Sequence, residues 1–110
     1  MDAPRTIKKR ADFLRVRAAG RRRAEAGLVL QARDRGDDGP MQVGYTVSKK
    51  VGNAVERNRV RRRLRAAVRE ALERRPGRDY VVIGRRATLS RPWEALVNDL
   101  KSAAARLERR

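Results

Sequence analysis

The chain of 110 residues has no cysteine and no histidine, which excludes disulfides, thiol chemistry and the commonest zinc ligands, and leaves no obvious side-chain set for nucleophilic or metal catalysis. Acids are scarce too: 13 Asp and Glu stand against 30 Lys and Arg, with no cluster of close carboxylates of the kind a two-metal nuclease uses. Aromatic residues are few, one Phe, one Trp and two Tyr. No apolar run approaches the roughly 20 residues of a membrane span. The basic stretch Met1 to Arg10 is not followed by the apolar segment of a secretion signal. These absences predict a cytoplasmic protein with no membrane partner.

What is abundant is positive charge. The formal net charge is +17, a statement about partners more than about fold, and it favours a polyanion. Arg supplies 25 of the 30 cations; its planar guanidinium grips phosphate in a bidentate way and stacks on bases, which favours nucleic acid over a membrane surface. A genome rich in G and C also inflates Arg, so the count overstates this preference. The length suits one compact domain, residues 1–110.

From Lys9 to Ala19 the spacing of Ala11, Phe13, Leu14, Val16 and Ala18 predicts a short helix that Gly20 can end. Leu28-Val29-Leu30 reads as a buried strand and Asp34 to Pro40 as a connecting loop. Met41 to Val47 alternates, with Val43, Tyr45 and Val47 on one face and Gln42, Gly44 and Thr46 on the other. The two strands are expected to pair as a hairpin. After the Gly52-Asn53 break, at ~100° per residue, Val60, Leu64, Ala67, Val68, Ala71 and Leu72 fall within an arc of about 140°, the stripe of a helix lying on a sheet. Pro76-Gly77 is expected to end it. Tyr80-Val81-Val82-Ile83 follows as a short apolar strand, so strand, helix and strand form a βαβ unit with parallel flanks. A last helix carries the stripe Leu96, Val97, Leu100, Ala103, Ala104 and Leu107, with Ser90 or Arg91 near its cap and Pro92 in its first turn.

The segment Arg57 to Arg69 holds seven Arg, at 57, 59, 61, 62, 63, 65 and 69, and no acid. Like charges at i and i+4 each cost a few tenths of a kcal/mol on an isolated helix, so the crowding makes sense when phosphates neutralise it. Asn58, Arg62, Arg65 and Arg69 line up opposite the apolar stripe, with Arg59 and Arg63 beside them. The bland alternative is a solvated face, but such faces normally mix signs. For Tyr45 and Trp93 the plainer reading is core packing or a helix anchor. Phe13 either closes the core or offers a flat face on which an unpaired base stacks.

The stretch Ser48-Lys49-Lys50-Val51-Gly52-Asn53-Ala54-Val55, followed by Arg57-Asn58-Arg59-Val60-Arg61-Arg62-Arg63-Leu64-Arg65, closely resembles the signature of the bacterial ribonuclease P protein family, including its Arg-Asn-Arg core. The resemblance extends less specifically through Asp12-Phe13, Val16, Gly20, Val43-Gly44-Tyr45 and Asp79 to Ile83. It implies an α/β (α+β) two-layer sandwich in αβββαβα order, a mainly antiparallel sheet covered by helices, with an unusual left-handed βαβ crossover where general rules predict a right-handed one. It further implies a protein, inactive alone, that joins a catalytic RNA subunit, one protein per RNA. That RNA, with magnesium, would hydrolyse precursor tRNA to release its 5′ leader.

Carried over by motif, the RNA-contact candidates are Lys49, Lys50, Asn53, Arg57, Asn58, Arg59, Arg62 and Arg65, with Arg69 added by the helical wheel. A cleft for the single-stranded leader would use Phe13, Val16 and Arg17, plus Val43 and Tyr45 if their sheet face is the open one. Many relatives have a second aromatic residue where this chain has Arg17; a guanidinium also stacks on bases.

Three other classes compete. A DNA-binding regulator with a leucine-zipper basic region would need further heptads, whereas Pro76-Gly77 stops the helix. A ribosomal or general RNA-packing protein fits the charge without requiring the Ser48 to Arg65 motif. A self-sufficient nuclease lacks its acids.

Overall fold

The computed structural model describes residues 4–108. In chain order they form β1 (Arg5–Thr6), α1 (Arg10–Ala18), β2 (Arg21–Ala24), β3 (Leu28–Asp34), β4 (Gln42–Thr46), α2 (Ala54–Ala71), β5 (Arg78–Gly84) and α3 (Trp93–Glu108), with single 3-10 turns at Lys49–Val51 and Arg86–Leu89. The expected αβββαβα order is present, preceded by the two-residue β1.

The five strands make one mixed sheet in the order β1-β4-β5-β3-β2. β2–β3 and β3–β5 are antiparallel, with four and seven residue pairs, while β4–β5 and β1–β4 are parallel, with five and two. The parallel β4 and β5 flank α2, as the βαβ reading requires. The hairpin expected between β3 and β4 does not form, because β5 lies between them: Leu30 and Tyr45 both pair with Val82. Tyr80, Val81 and Val82 are all buried, so β5 has apolar side chains on both faces and belongs at the centre of the sheet, where both its edges and both its faces are covered.

Two helices cover one face of the sheet and one helix the other. Val60, Leu64, Ala67 and Val68 of α2 and Leu96, Leu100 and Ala103 of α3 pack against Leu28, Leu30, Val43, Tyr80 and Val82 in the main core. Each fully buried Val or Leu contributes about 1.5–3 kcal/mol. On the opposite face α1 lays Val16 against Ile7 and Val81, with Phe13 and Ile83 beside them. Gly20, at φ 75°, ends α1 where a side chain would be strained.

α2 stops at Ala71, sooner than the Pro-Gly pair suggested, and its C-cap Leu72 is extended at φ −91°, ψ 114°. The Pro76 ring would meet the carbonyl of a helical residue four positions earlier, which is Leu72. In α3 the expected stripe is buried at Leu96, Val97, Leu100, Ala103 and Leu107, with Ala104 partly exposed. The carbonyl of Pro92 accepts the Leu96 N–H at 2.9 Å, placing that proline at the helix start.

Candidate nucleic-acid interface

The basic helix begins on a reciprocal cap. Asn53 Oδ1 accepts the Glu56 N–H at 2.9 Å, and Glu56 Oε1 accepts the Asn53 N–H at 3.0 Å, so two otherwise orphaned donors are satisfied. Arg86 Nη1 donates to Glu56 Oε2 at 3.0 Å and to the Val51 carbonyl at 2.6 Å, while Arg57 Nη1 donates to the Gly52 carbonyl at 3.0 Å. These bonds tie the Lys49–Val51 turn to the first turn of α2. The carboxyl of Glu56 is held below its ordinary range by the Asn53 backbone hydrogen bond first and by Arg86 and Arg59 after it. Lys49 and Lys50 stay exposed at the end of the helix.

Along α2, Asn58, Arg59, Arg62, Arg65 and Arg69 are exposed, opposite the buried Val60, Leu64, Ala67 and Val68. The ion pairs of the described residues lie elsewhere, as in Arg91–Asp99 at 2.9 Å and Arg78–Asp34 at 3.0 Å, and none includes a residue of this Arg face. No guanidinium of this face is therefore held in an ion pair among the described residues. Three neighbours are engaged instead. Arg57 holds the turn as above, and Arg61 Nη1 donates to Asn58 Oδ1 at 3.1 Å. Arg63, expected to broaden the exposed face, bends toward α3: it donates to the Leu89 carbonyl at 3.1 Å and to the Arg91 carbonyl, and lies 6.0 Å from the Trp93 ring centroid. Trp93 Nε1 donates to Glu70 Oε2 at 3.0 Å, so this residue is a helix anchor.

A second candidate surface lies on the far side of the sheet. Arg10, Phe13, Leu14 and Arg17 of α1 face Arg22 of β2, Gln31 of β3, Thr46 of β4 and Val81 and Ile83 of β5 across a cleft of about 300 Å³. The Phe13 ring rests on Gly44; a Cβ there would sit 2.5 Å from Phe13 Cε1. The ring thus closes the smaller core and also lines the cleft.

Not every expected cleft residue arrives there. Val16 is 0% exposed and serves the smaller core. Val43 is also 0% exposed and faces the main core, and Tyr45 packs against that core on the same side. Alternation along β4 sends Gly44 and Thr46 toward α1 and their neighbours toward α2. Tyr45 instead lies under Arg65, whose guanidinium carbon is 5.3 Å from the ring centroid. Burial pushes its phenol up, with Arg65 and Arg69 opposing. Arg10, Leu14, Arg22, Gln31, Thr46, Val81 and Ile83 were not singled out by sequence. The available signal was the β3 alternation, which puts Gln31 opposite Leu28 and Leu30 only once the face of those two is known.

Among the described residues no three Asp, Glu, His or Cys side chains converge as a metal site, and the buried Asp79 and Asp99 are engaged by Arg35 and Arg91. No helix of the described residues is long and apolar enough to cross a membrane.

The family model described as Ribonuclease P matches residues 1–108. The chain is 53% identical over 102 residues to the ribonuclease P protein component of Gluconacetobacter diazotrophicus, covering 91% of this chain and 88% of that one. It is 53% identical over 107 residues to that of Paramagnetospirillum magneticum, covering 92% and 80%. Among solved structures, the RNase P protein of Staphylococcus aureus matches with a TM-score of 0.78 and 28% identity over 94% of both chains. That of Thermotoga maritima matches with a TM-score of 0.76 and 25% identity over 94% of this chain and 98% of that one. The mixed sheet, the capped Arg-rich helix and these matches agree: the chain belongs to the ribonuclease P protein family.

Proposed function

We propose that this chain is the protein subunit of a ribonuclease P ribonucleoprotein in the cytoplasm, one protein per RNA. It seats the outer face of α2 on the catalytic RNA and holds the 5′ leader of precursor tRNA in the cleft beneath α1. The observation that carries this reading is the exposed line Arg59, Arg62, Arg65 and Arg69, free of ion pairs among the described residues, on a helix fixed at its start by the Asn53–Glu56 cap. A row of unpaired guanidinium groups on one helix face follows a sugar-phosphate backbone and is relieved of self-repulsion by it. Lys49, Lys50 and Asn53 extend the contact at the start of the helix. On the other face, Phe13 offers a stacking surface, Arg10, Arg17 and Arg22 offer charge, and Gln31 and Thr46 offer hydrogen bonds to an unpaired base.

Hydrolysis belongs in this reading to the RNA subunit with magnesium, as the family resemblance implies. The protein contributes binding and orientation, and alone is inactive.

The test is cleavage of precursor tRNA by a bacterial ribonuclease P RNA at low magnesium, with the wild-type protein, without it, and with Arg59→Ala plus Arg62→Ala. Cleavage at the mature 5′ end restored by the wild type and not by the double variant supports both the subunit role and the helix face. Equal restoration by both removes the helix face from the account. Restoration by neither, with RNA still bound, overturns the subunit role and favours general RNA packing.

A further inference from the structure

Past Arg62 the cations of α2 border apolar surface at the parallel edge of the sheet. Arg65 and Arg69 close over Tyr45 with Pro4 and Thr6 to form a niche of about 60 Å³. Arg69 and Pro4 are also walls of a second, larger hollow of about 300 Å³. Met41, Val68, Ala71 and Leu72 supply its apolar lining, and Arg74 lines it too. Two carboxylates also line it, but each has a partner: Glu70 accepts from Trp93 Nε1 at 3.0 Å and Glu73 from Arg75 Nη2 at 3.2 Å. Arg69 and Arg74 have no such pairing among the described residues.

The geometry points to a site for one unpaired nucleotide of the RNA seated on α2, its phosphate between Arg65 and Arg69 and its base in the hollow floored by Met41, Val68, Ala71 and Leu72. The inference rests on the reading that the α2 face binds RNA. The small niche presents two guanidinium forks, the geometry that grips a phosphate. The larger hollow is at the lower end of the ~300–1,000 Å³ range of small-molecule sites, a size for one planar group. The two share Arg69, so one nucleotide spans them. RNA is the occupant because the niche continues the exposed Arg line of α2, which is free of ion pairs among the described residues, and the base is unpaired because only a splayed-out base leaves a helix to enter a protein pocket.

Ala71→Phe fills the hollow without changing charge, since Ala71 is partly exposed in the last turn of α2. Affinity of the full chain for a bacterial ribonuclease P RNA is measured for the wild type, for Ala71→Phe and for Arg59→Ala plus Arg62→Ala, after melting curves establish that each folds. Losing one inserted base weakens binding by about tenfold, so that loss is expected in Ala71→Phe. Native affinity in Ala71→Phe beside a loss in the Arg variant overturns the nucleotide site and leaves the α2 reading standing. Native affinity in both overturns both. A second measurement does not depend on the variant folding: adenosine, guanosine, cytidine and uridine 5′-monophosphates are titrated into the wild-type protein while the Met41 and Ala71 methyl resonances are followed. Shifts with at least one nucleotide, and none with inorganic phosphate alone, support the site; methyls that stay still with all four overturn it.

Discussion

Phe13 stands on Gly44, and each position has meaning only through the other. The ring is partly buried, so it can stack an unpaired base on its outer side while its inner side closes the core against Val81 and Ile83. Phe13→Ala is expected to weaken binding of leader-bearing precursor tRNA to the reconstituted particle by about 5- to 150-fold, the cost of about 1–3 kcal/mol for one lost stacking contact. Mature tRNA, which has no leader, should bind unchanged, and titration of both RNAs checks it. Gly44→Val drives the ring off the sheet. It should lower stability by about 1–3 kcal/mol by overpacking, seen in denaturant melts, and weaken leader binding as Phe13→Ala does. At this scale the sequence singled out Phe13 but not Gly44, whose importance is an absence of side chain. It also could not separate Val16 from Phe13: both lie on the inner side of α1, and only the position of Ile7 and Val81 decides that one is sealed and the other open.

The two helical faces of α2 were legible because their signals repeat over several turns: Val60, Leu64, Ala67 and Val68 are buried where the wheel put them, and Asn58, Arg62, Arg65 and Arg69 are exposed opposite. Arg63 was not legible. It is one more Arg in a run of Arg, and what draws it inward are backbone carbonyls of Leu89 and Arg91, some 26 and 28 residues away in the chain. Arg63→Ala should therefore act on the α2–α3 packing more than on RNA. The cap at the start of α2 is the element's other control. Asn53→Ala is expected to cost about 0.5–2 kcal/mol in thermal or denaturant melts. Because Glu56 has its carboxyl lowered in the folded chain, the stability it adds is fully present above the ordinary carboxylate range and is lost as pH falls through the lowered value. The difference in melting temperature between wild type and Glu56→Gln should shrink accordingly as buffers are taken from neutral into acid. A constant difference would remove the charge of Glu56 from the account and leave only its hydrogen bond.

For the molecule as a whole, a net charge of +17 makes ionic strength the main external variable. Affinity for RNA should fall linearly in log–log form with salt, and each phosphate contact removed should flatten the slope by about 0.7–0.9. Arg59→Ala plus Arg62→Ala should thus reduce it by roughly 1.5, measured by anisotropy across a salt series. Sulfate at constant ionic strength should raise the melting temperature, since an anion bound only by the native state stabilises it; an unchanged curve counts against a native anion site.

The sheet order was the least legible feature at this scale. Alternation in Met41 to Val47 identified a half-covered strand, but pairing it with its neighbour in sequence overlooked what the unbroken run Tyr80 to Ile83 implied: a strand apolar on both faces belongs at the centre. That strand also sets a timetable. As the chain leaves the ribosome from its N-terminus, β3 and β4 are made first, and the edges they will turn to β5 stay open until residues 78–84 follow. A chain stalled or cut before that point holds two separate strand groups and not a smaller sheet. Both surfaces proposed for RNA then wait on one late segment: without it the cleft lacks Val81 and Ile83, and α2 lacks the strand it packs against. Unfinished copies consequently carry the Arg-rich segment without the strand that holds α1 and α2 in place on the sheet.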